Sequence, residues 1–258
     1  MLSKNQIKYV RQLEQKKFRR REGLFVAEGT KVVGDLLAAG FIPTQLFATP
    51  ECLTSNHLLI LNAKFSISSV TDDELRRLSF LQHPQQVLAL FPFPSSESSA
   101  SLNSKFLIPN SLTLALDGVQ DPGNLGTIIR IADWFGIDHI YCSEDTVDAR
   151  NPKVVQATMG SIARVNILYT NLPALLDTLP PDFPVYGTFL DGENIYTQSL
   201  SKHGLIIMGN EGNGISDAIR QRVTHRLLIP NFHKGDTADS LNVAIATAIT
   251  CSEFRRRL

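Results

Sequence analysis

Residues 204–216, GLIIMGNEGNGIS, join an apolar run to a glycine-rich turn. Leu205 to Met208 have the length and branching of a short buried strand. The run then breaks into Gly209-Asn210-Glu211-Gly212-Asn213-Gly214, whose glycines admit positive φ and close approach of another group to the backbone. Glu211 is the one charged residue of this turn and stands at a strand end, where an open α/β sheet places its ligands. Taken alone, the stretch also fits a surface turn with a solvated glutamate.

Outward from it, strands and helices alternate. The patterns predict strands over 112–116, 137–142, 164–168, 185–190, 204–208 and 226–229, with helices over 127–135, 153–162, 171–178, 215–222 and 238–254. Such alternation implies an α/β domain with a mainly parallel sheet and helices on both faces. The first ninety or so residues read as a smaller α/β unit: a basic helix over 3–21, a helix over 28–39 ending at Gly40, strands over 46–48 and 86–91, and a Thr71/Glu74 capping box. Between the two, FPFPSSESSASLNS loses apolar periodicity and is rich in Pro and Ser. The expected organisation is therefore a domain over 1–93, a linker over 94–110 and a second domain over 111–258.

Composition sets bounds on partners and location. The chain has 258 residues, 43% apolar and 19% charged, ordinary values for a soluble globular protein. No apolar run approaches the ~20 residues that cross a bilayer, and the polar, basic N-terminus does not read as a secretory leader. Cys52, Cys142 and Cys251 are widely spaced, and the six histidines show no metal-ligand spacing. This predicts reduced thiols, a cytoplasmic location and neither metal nor membrane. Formal net charge is zero, yet eight basic residues (Lys4, Lys8, Arg11, Lys16, Lys17, Arg19, Arg20 and Arg21) face only Glu14 and Glu22 before residue 23. Such a run is either a solvated helix face or a phosphate-binding surface.

Two further stretches carry candidate chemistry. Asp121-Pro122-Gly123-Asn124-Leu125-Gly126 joins a strand to a helix, and amides at a helix start attract anions. It is neither GxGxxG nor a P-loop. Arg130 lies further along that helix among apolar neighbours, as either a snorkelling residue or a phosphate clamp. The other stretch, LLIPNFHKGDTADSLNVAIATAI over 227–249, ends a strand at Ile229-Pro230 and opens an Ala-rich helix near Ser240-Leu241-Asn242, with Asp239 or Ser240 as the expected cap.

In order, NLGTIIRIADWFG, IIMGNEGNGI and IPN…SLNVAIATAI resemble the three motifs of the SpoU/TrmH-type (SPOUT superfamily) RNA 2′-O-ribose methyltransferases. The resemblance covers 111–258, and GLFVAEGTKVVGDLL also resembles the RNA-binding domain that precedes many such catalytic domains. It implies a deep C-terminal trefoil knot and a homodimer formed through the knotted domain. It also implies S-adenosylmethionine held by Thr188, Leu190, Gly209, Glu211, Ile229 and Leu241. By the same resemblance Arg130 is the catalytic arginine and Asn124 its orienting neighbour, with Glu211, Ser240 and Asn242 building the pocket. A guanidinium keeps its proton, so the role expected of Arg130 is to clamp an RNA phosphate and stabilise a developing alkoxide. Lys16, Lys17, Arg19, Arg20, Arg21 and Arg130 are the expected RNA contacts. The loop between Pro230 and Ser240 departs from the family by about three extra residues and lacks its Met after Pro; His233 and Lys234 read there as solvated residues. The implied reaction is methylation of a ribose 2′-hydroxyl, in ribosomal RNA ahead of transfer RNA. The competing readings are a non-catalytic RNA-binding factor on the same fold and a nucleotide-binding enzyme using 117–126.

Overall fold

A computed structural model describes residues 2–54, 65–94, 111–236 and 238–256. The expected linker, from residue 95 onward, lies outside these. The chain divides into two compact units, Met1–Ser101 with Asp148–Arg164, and Leu102–Val147 with Val165–Leu258. Residues 148–164, expected within the second domain, thus group with the first.

The first unit opens with α1 (Lys4–Gln12) and α2 (Lys16–Glu22), followed by β1 (Leu24–Glu28), α3 (Thr30–Ala38), β2 (Gln45–Ala48), α4 (Pro50–Thr54), β3 (Ser66–Ser69), α5 (Asp72–Leu78) and β4 (Val87–Pro92). Its sheet has the order β1-β4-β2-β3, with β4 antiparallel to both neighbours and β2 parallel to β3. The single basic helix expected over 3–21 is two helices, because Leu13 turns into the core at 0% exposure and the chain bends through residues 13–15. Glu28, expected in a helix, ends a strand whose five residues are all buried. A run without polar alternation hides its period, and Gly29 at φ 88 makes the turn from strand to helix. The Thr71/Glu74 capping box forms as expected, and Ser3 with Gln6 makes a second. Val10, Leu13, Val26, Phe47, Leu75 and Leu88 fill the core.

The second unit contains β5 (Leu112–Leu116), α6 (Pro122–Trp134), β6 (His139–Cys142), β7 (Asn166–Tyr169), α8 (Leu172–Leu176), β8 (Val185–Asn194), β9 (Gly204–Met208), α9 (Asp217–Arg220), β10 (His225–Leu228) and α10 (Val243–Arg256). Helix α7 (Pro152–Ala157) interrupts it in sequence but belongs to the first unit. The strands form one six-stranded sheet in the order β10-β8-β9-β5-β6-β7, and every paired strand runs parallel. All residues of β5 and β9 are buried, the pattern of inner strands covered on both faces. Each buried Leu or Ile of these strands contributes roughly 1.5–3 kcal/mol relative to exposure. On one face Leu205 and Ile207 pack with Val185, Phe189, Leu175 and Ile219. Helices α6 and α10 pack on each other. Strand order reverses beside β5, with β6 on one side and β9 on the other, the switch point at which open α/β sheets hold ligands.

Candidate active site

Three loops meet beyond the carboxyl ends of β5, β9 and β10. The first, residues 117–121, leads into α6. Asp121 caps this helix, its Oδ1 accepting from the Asn124 amide at 2.8 Å, and Pro122 fills the first turn, where a missing N–H costs nothing. The helix therefore starts at 122, a turn earlier than the apolar pattern from 127 predicts, because Pro122, Gly123 and Asn124 carry no periodicity. Asp117 is buried and accepts from the Ser216 amide at 2.7 Å, tying the end of β5 to the entrance of α9.

The second loop, residues 209–216, is closed on itself by paired backbone bonds between Asn210 and Gly214 at 2.9 and 3.0 Å. Glycine at 209 is demanded by packing, since a Cβ there would stand 2.3 Å from the carbonyl carbon of Gly214. Asn210 donates to the Gly118 carbonyl at 2.6 Å and accepts from the amides of Gly212 and Asn213. Neither Asn210 nor Asp117 is among the site residues expected from the sequence; an Asn beside Gly in a tight turn is the local signal for the first of them.

Glu211 crosses from this loop to the first. Its carboxylate accepts from the Asn124 side chain at 3.0 Å and from the amides of Gln120 at 3.2 Å and Asp121 at 3.3 Å. The anion expected at the start of α6 is thus supplied by the protein itself. Partial burial pushes the Glu211 carboxyl up, but the Asn124 bond and the backbone amides outweigh it and hold the group below its ordinary value.

The third loop, residues 229–242, ends at Asn242. Its Oδ1 accepts from the amides of Ala244 at 2.9 Å and Ile245 at 3.3 Å, so Asn242 caps α10, where Asp239 or Ser240 was expected and the helix was placed from 238. The Asn242 Nδ2 donates to Asn124 Oδ1 at 2.9 Å. An unbroken chain Asn242–Asn124–Glu211 therefore joins residues 118 positions apart in sequence.

The second and third loops line a cleft of about 610 Å³, which the first loop meets only through its bonds to Glu211. A further wall comes from β8. Gly187 pairs with Arg226 and Glu193 with Leu227, so residues 188–192 bulge out of the ladder between consecutive partners on β10. A Cβ at Gly192 would sit 2.6 Å from the Leu227 carbonyl carbon, so the bulge closes at a glycine. The strand expected over 185–190 continues to 194 for this reason. Thr188, Leu190, Gly209, Glu211, Ile229 and Leu241 all line the cleft, with Ser240 and with Met208, Val243 and Ala246 as apolar wall. Asn124 and Asn242 reach it through Glu211. Asp191 at the rim pairs with Arg220 and Arg226, and both guanidinium groups lie within 4.8 Å of the Phe189 ring centroid.

Arg130 is not part of this network. It is exposed on α6, does not line the cleft, and has no hydrogen bond or ion pair among the described residues. Of the expected RNA contacts in the first unit, Lys16, Lys17, Arg20 and Arg21 are exposed. Arg19 must be withdrawn from that set. It is 1% exposed, and four of its five N–H donors are bonded to Asp148 and to the carbonyls of Leu13 and Glu14, so its guanidinium presents nothing to a phosphate in solvent. Among the described residues no group of three or more His, Cys, Asp or Glu is placed to hold a metal, and no helix is long and apolar enough to cross a membrane. The three cysteines are buried and form no disulfide, and burial pushes the Cys251 thiol up to about 12.

A cleft beyond the carboxyl ends of the parallel strands β8, β9 and β10, with apolar walls and a few convergent polar groups, is the kind of place where an open α/β protein holds a ligand. The family model described as the SpoU rRNA Methylase family matches residues 111–252, and that of the MRM3-like substrate binding domain matches residues 4–89. The 23S rRNA (guanosine(2553)-2′-O)-methyltransferase RlmP of Bacillus subtilis is 30% identical over 98% of this chain and 97% of its own length. A solved TrmH-family protein from Porphyromonas gingivalis is 40% identical, covers both chains completely and superposes with a TM-score of 0.85. The AdoMet-bound rRNA methyltransferase from Sinorhizobium meliloti is 31% identical, with a TM-score of 0.85 over 100% of this chain and 97% of that one. The chain belongs to the SpoU rRNA methylase family.

Proposed function

We propose that this protein methylates a ribose 2′-hydroxyl of ribosomal RNA, using S-adenosylmethionine. The observation that carries the reading is the Asn242–Asn124–Glu211 chain, which ties three sequence-distant loops together at the point where Glu211 lines the cleft. The residues fit the cofactor: apolar walls at Leu190, Met208, Ile229 and Leu241 suit a purine, and the strand ends and loops around Gly209 offer backbone groups for its polar edge. When bound, the sulfonium supplies an activated methyl group. Thr188, Leu190, Gly209, Glu211, Ile229 and Leu241 would hold it, with Glu211 fixed by its three donors.

Arg130, exposed and with no bond among the described residues, is available to hold an RNA phosphate and to stabilise charge developing on the 2′-oxygen. Ser240 and Asn242 would position the acceptor ribose. Lys16, Lys17, Arg20 and Arg21 offer a cationic surface for phosphates, which orients RNA without reading its sequence. Ribosomal rather than transfer RNA is favoured by the likeness to RlmP along nearly the whole chain, first unit included. A methyltransferase domain over 111–258 with a C-terminal trefoil knot, a preceding RNA-binding domain over 1–93, a homodimer through the knotted domain and a cytoplasmic location belong to the same reading.

The test is calorimetric titration with S-adenosylmethionine and, separately, with NAD and ATP. Mapping of 2′-O-methyl groups in ribosomal RNA from a strain lacking the gene follows. Saturable binding of the methyl donor alone, with one ribose unmethylated in the deletion strain, is expected. Binding of NAD or ATP in its place defeats the proposal, and a donor that never binds the folded protein leaves the non-catalytic factor as the better reading.

A further inference from the structure

Phe232 is 80% exposed, on the third loop, and its ring has no aromatic or cationic partner among the described residues. The cleft-lining Ile229 is three residues away, so the two Cα atoms lie within about 11 Å of each other. Asn231 Oδ1 accepts from the His233 amide at 2.9 Å, closing a turn with Phe232 at its centre. His233 and Lys234 follow directly, both exposed, and no acidic residue occurs between Ile229 and Gly235. Leu190 at 73% and Leu241 at 50% exposure leave apolar lining of the cleft open to solvent.

We infer that Phe232 is a positioning residue that stacks on an unpaired RNA base next to the methylated ribose, with Lys234 on the adjoining phosphate. The chemistry favours RNA over another protein surface: the aromatic ring stands alone between polar residues and is followed by cations, the pairing by which single-stranded nucleic acid is held. A ribose can enter the cleft only if its nucleotide is unstacked from its neighbours, and an aromatic face beside the entrance offsets the lost stacking. This inference rests on the RNA methyltransferase reading. It adds a contact that the cleft lining does not contain.

The test compares wild type, Phe232→Ala and Phe232→Trp on total ribosomal RNA from a strain lacking the gene, following tritium from labelled S-adenosylmethionine. Filter binding of the same RNA is measured in parallel. Base stacking contributes on the order of tenfold or more in affinity. Phe232→Ala is therefore expected to raise KM for RNA about tenfold, with a far smaller change in kcat and an unchanged Kd for S-adenosylmethionine, and Phe232→Trp to restore KM. Wild-type RNA affinity in the alanine variant overturns the inference, as does a shift of that variant from dimer to monomer in sedimentation, which would make Phe232 a subunit contact. No tritium incorporation by the wild type defeats the methyltransferase reading instead, and filter binding still reports on Phe232.

Discussion

Arg19 and Arg130 are both helical arginines, and both were expected to meet RNA. Arg19 is sealed in the first unit: Nε and Nη2 hold Asp148 at 3.0 and 2.5 Å, and Nη1 holds the carbonyls of Leu13 and Glu14 at 2.9 and 2.6 Å. It joins the bend between α1 and α2 to the segment that the first unit takes from residues 148–164. Arg130 stands on α6 in solvent with no bond among the described residues. One guanidinium completes a fold, and the five donors of the other meet no acceptor among the described residues. A run of basic residues cannot distinguish the two roles, because what separates them is a carboxylate 129 positions away.

The sharpest way to break this contrast is to delete each charge. Arg130→Ala is expected to lower methyl transfer to ribosomal RNA about 10²–10³-fold, the loss typical of removing one transition-state donor. Its unfolding midpoint and its Kd for S-adenosylmethionine should match those of the parent. Loss of donor binding would mean that Arg130 builds the pocket. Arg19→Ala should do the reverse. It leaves Asp148, which is only 15% exposed, with the Arg150 amide but without its guanidinium, and destabilises the protein by about 3 kcal/mol. Urea denaturation reads this directly, and a parental midpoint would show that the ion pair is not what holds the segment.

A smaller effect separates capping from catalysis at Asn242. Its Oδ1 caps α10 while its Nδ2 donates to Asn124. Asn242→Ala removes both and should destabilise by about 1 kcal/mol, the usual value of an N-cap. Asn242→Asp retains the cap acceptor but turns an oxygen toward Asn124 Oδ1. Stability should then hold while methyl transfer falls, as measured by thermal melts and tritium incorporation on the same preparations. Equal stability in both variants would remove the cap from the account.

Much of this was legible in the chain. The strands at 112–116 and 204–208 coincide with β5 and β9, because uniformly apolar runs bounded by a glycine turn or a polar loop have little freedom of interpretation. The six expected cofactor residues line one cleft because ordered motifs specify loops at strand ends, and the parallel sheet gathers those ends. What was hidden is long-range. Nothing near Gly187 or Gly192 announces that residues 188–192 leave the ladder, since that depends on where β10 pairs. Asn242 could not be told from Asp239 or Ser240 as the cap until α10 was seen to begin at Val243. The burial of Arg19 needed Asp148, and the occupant of the α6 N-terminus needed Glu211, 90 positions from Asp121.

The smallest expected effect carries the contrast over to acids. Glu28 is 6% exposed in the first unit. Burial pushes its carboxyl above the ordinary value, while Ser79, the Phe80 amide and Arg11 pull it back only partly. Glu211, at the open cleft, is held below its ordinary value. The two therefore give opposite pH slopes. A native state that keeps the Glu28 proton after the unfolded chain has released it loses stability as pH rises from the ordinary carboxylate value to the raised one. Glu211 contributes stability above its unfolded pKa that is lost as pH falls through its lowered value. Glu28→Gln cannot titrate, still accepts from the Phe80 amide and still bonds Ser79 through its own amide. Relative to the parent, its melting temperature should therefore rise between pH 4 and pH 7, with methyl transfer unchanged. Parallel melting curves across that range would show that Glu28 is ionised as easily as an exposed carboxylate, and the distinction between an acid kept for the core and an acid kept for the site would then rest on hydrogen-bond geometry alone.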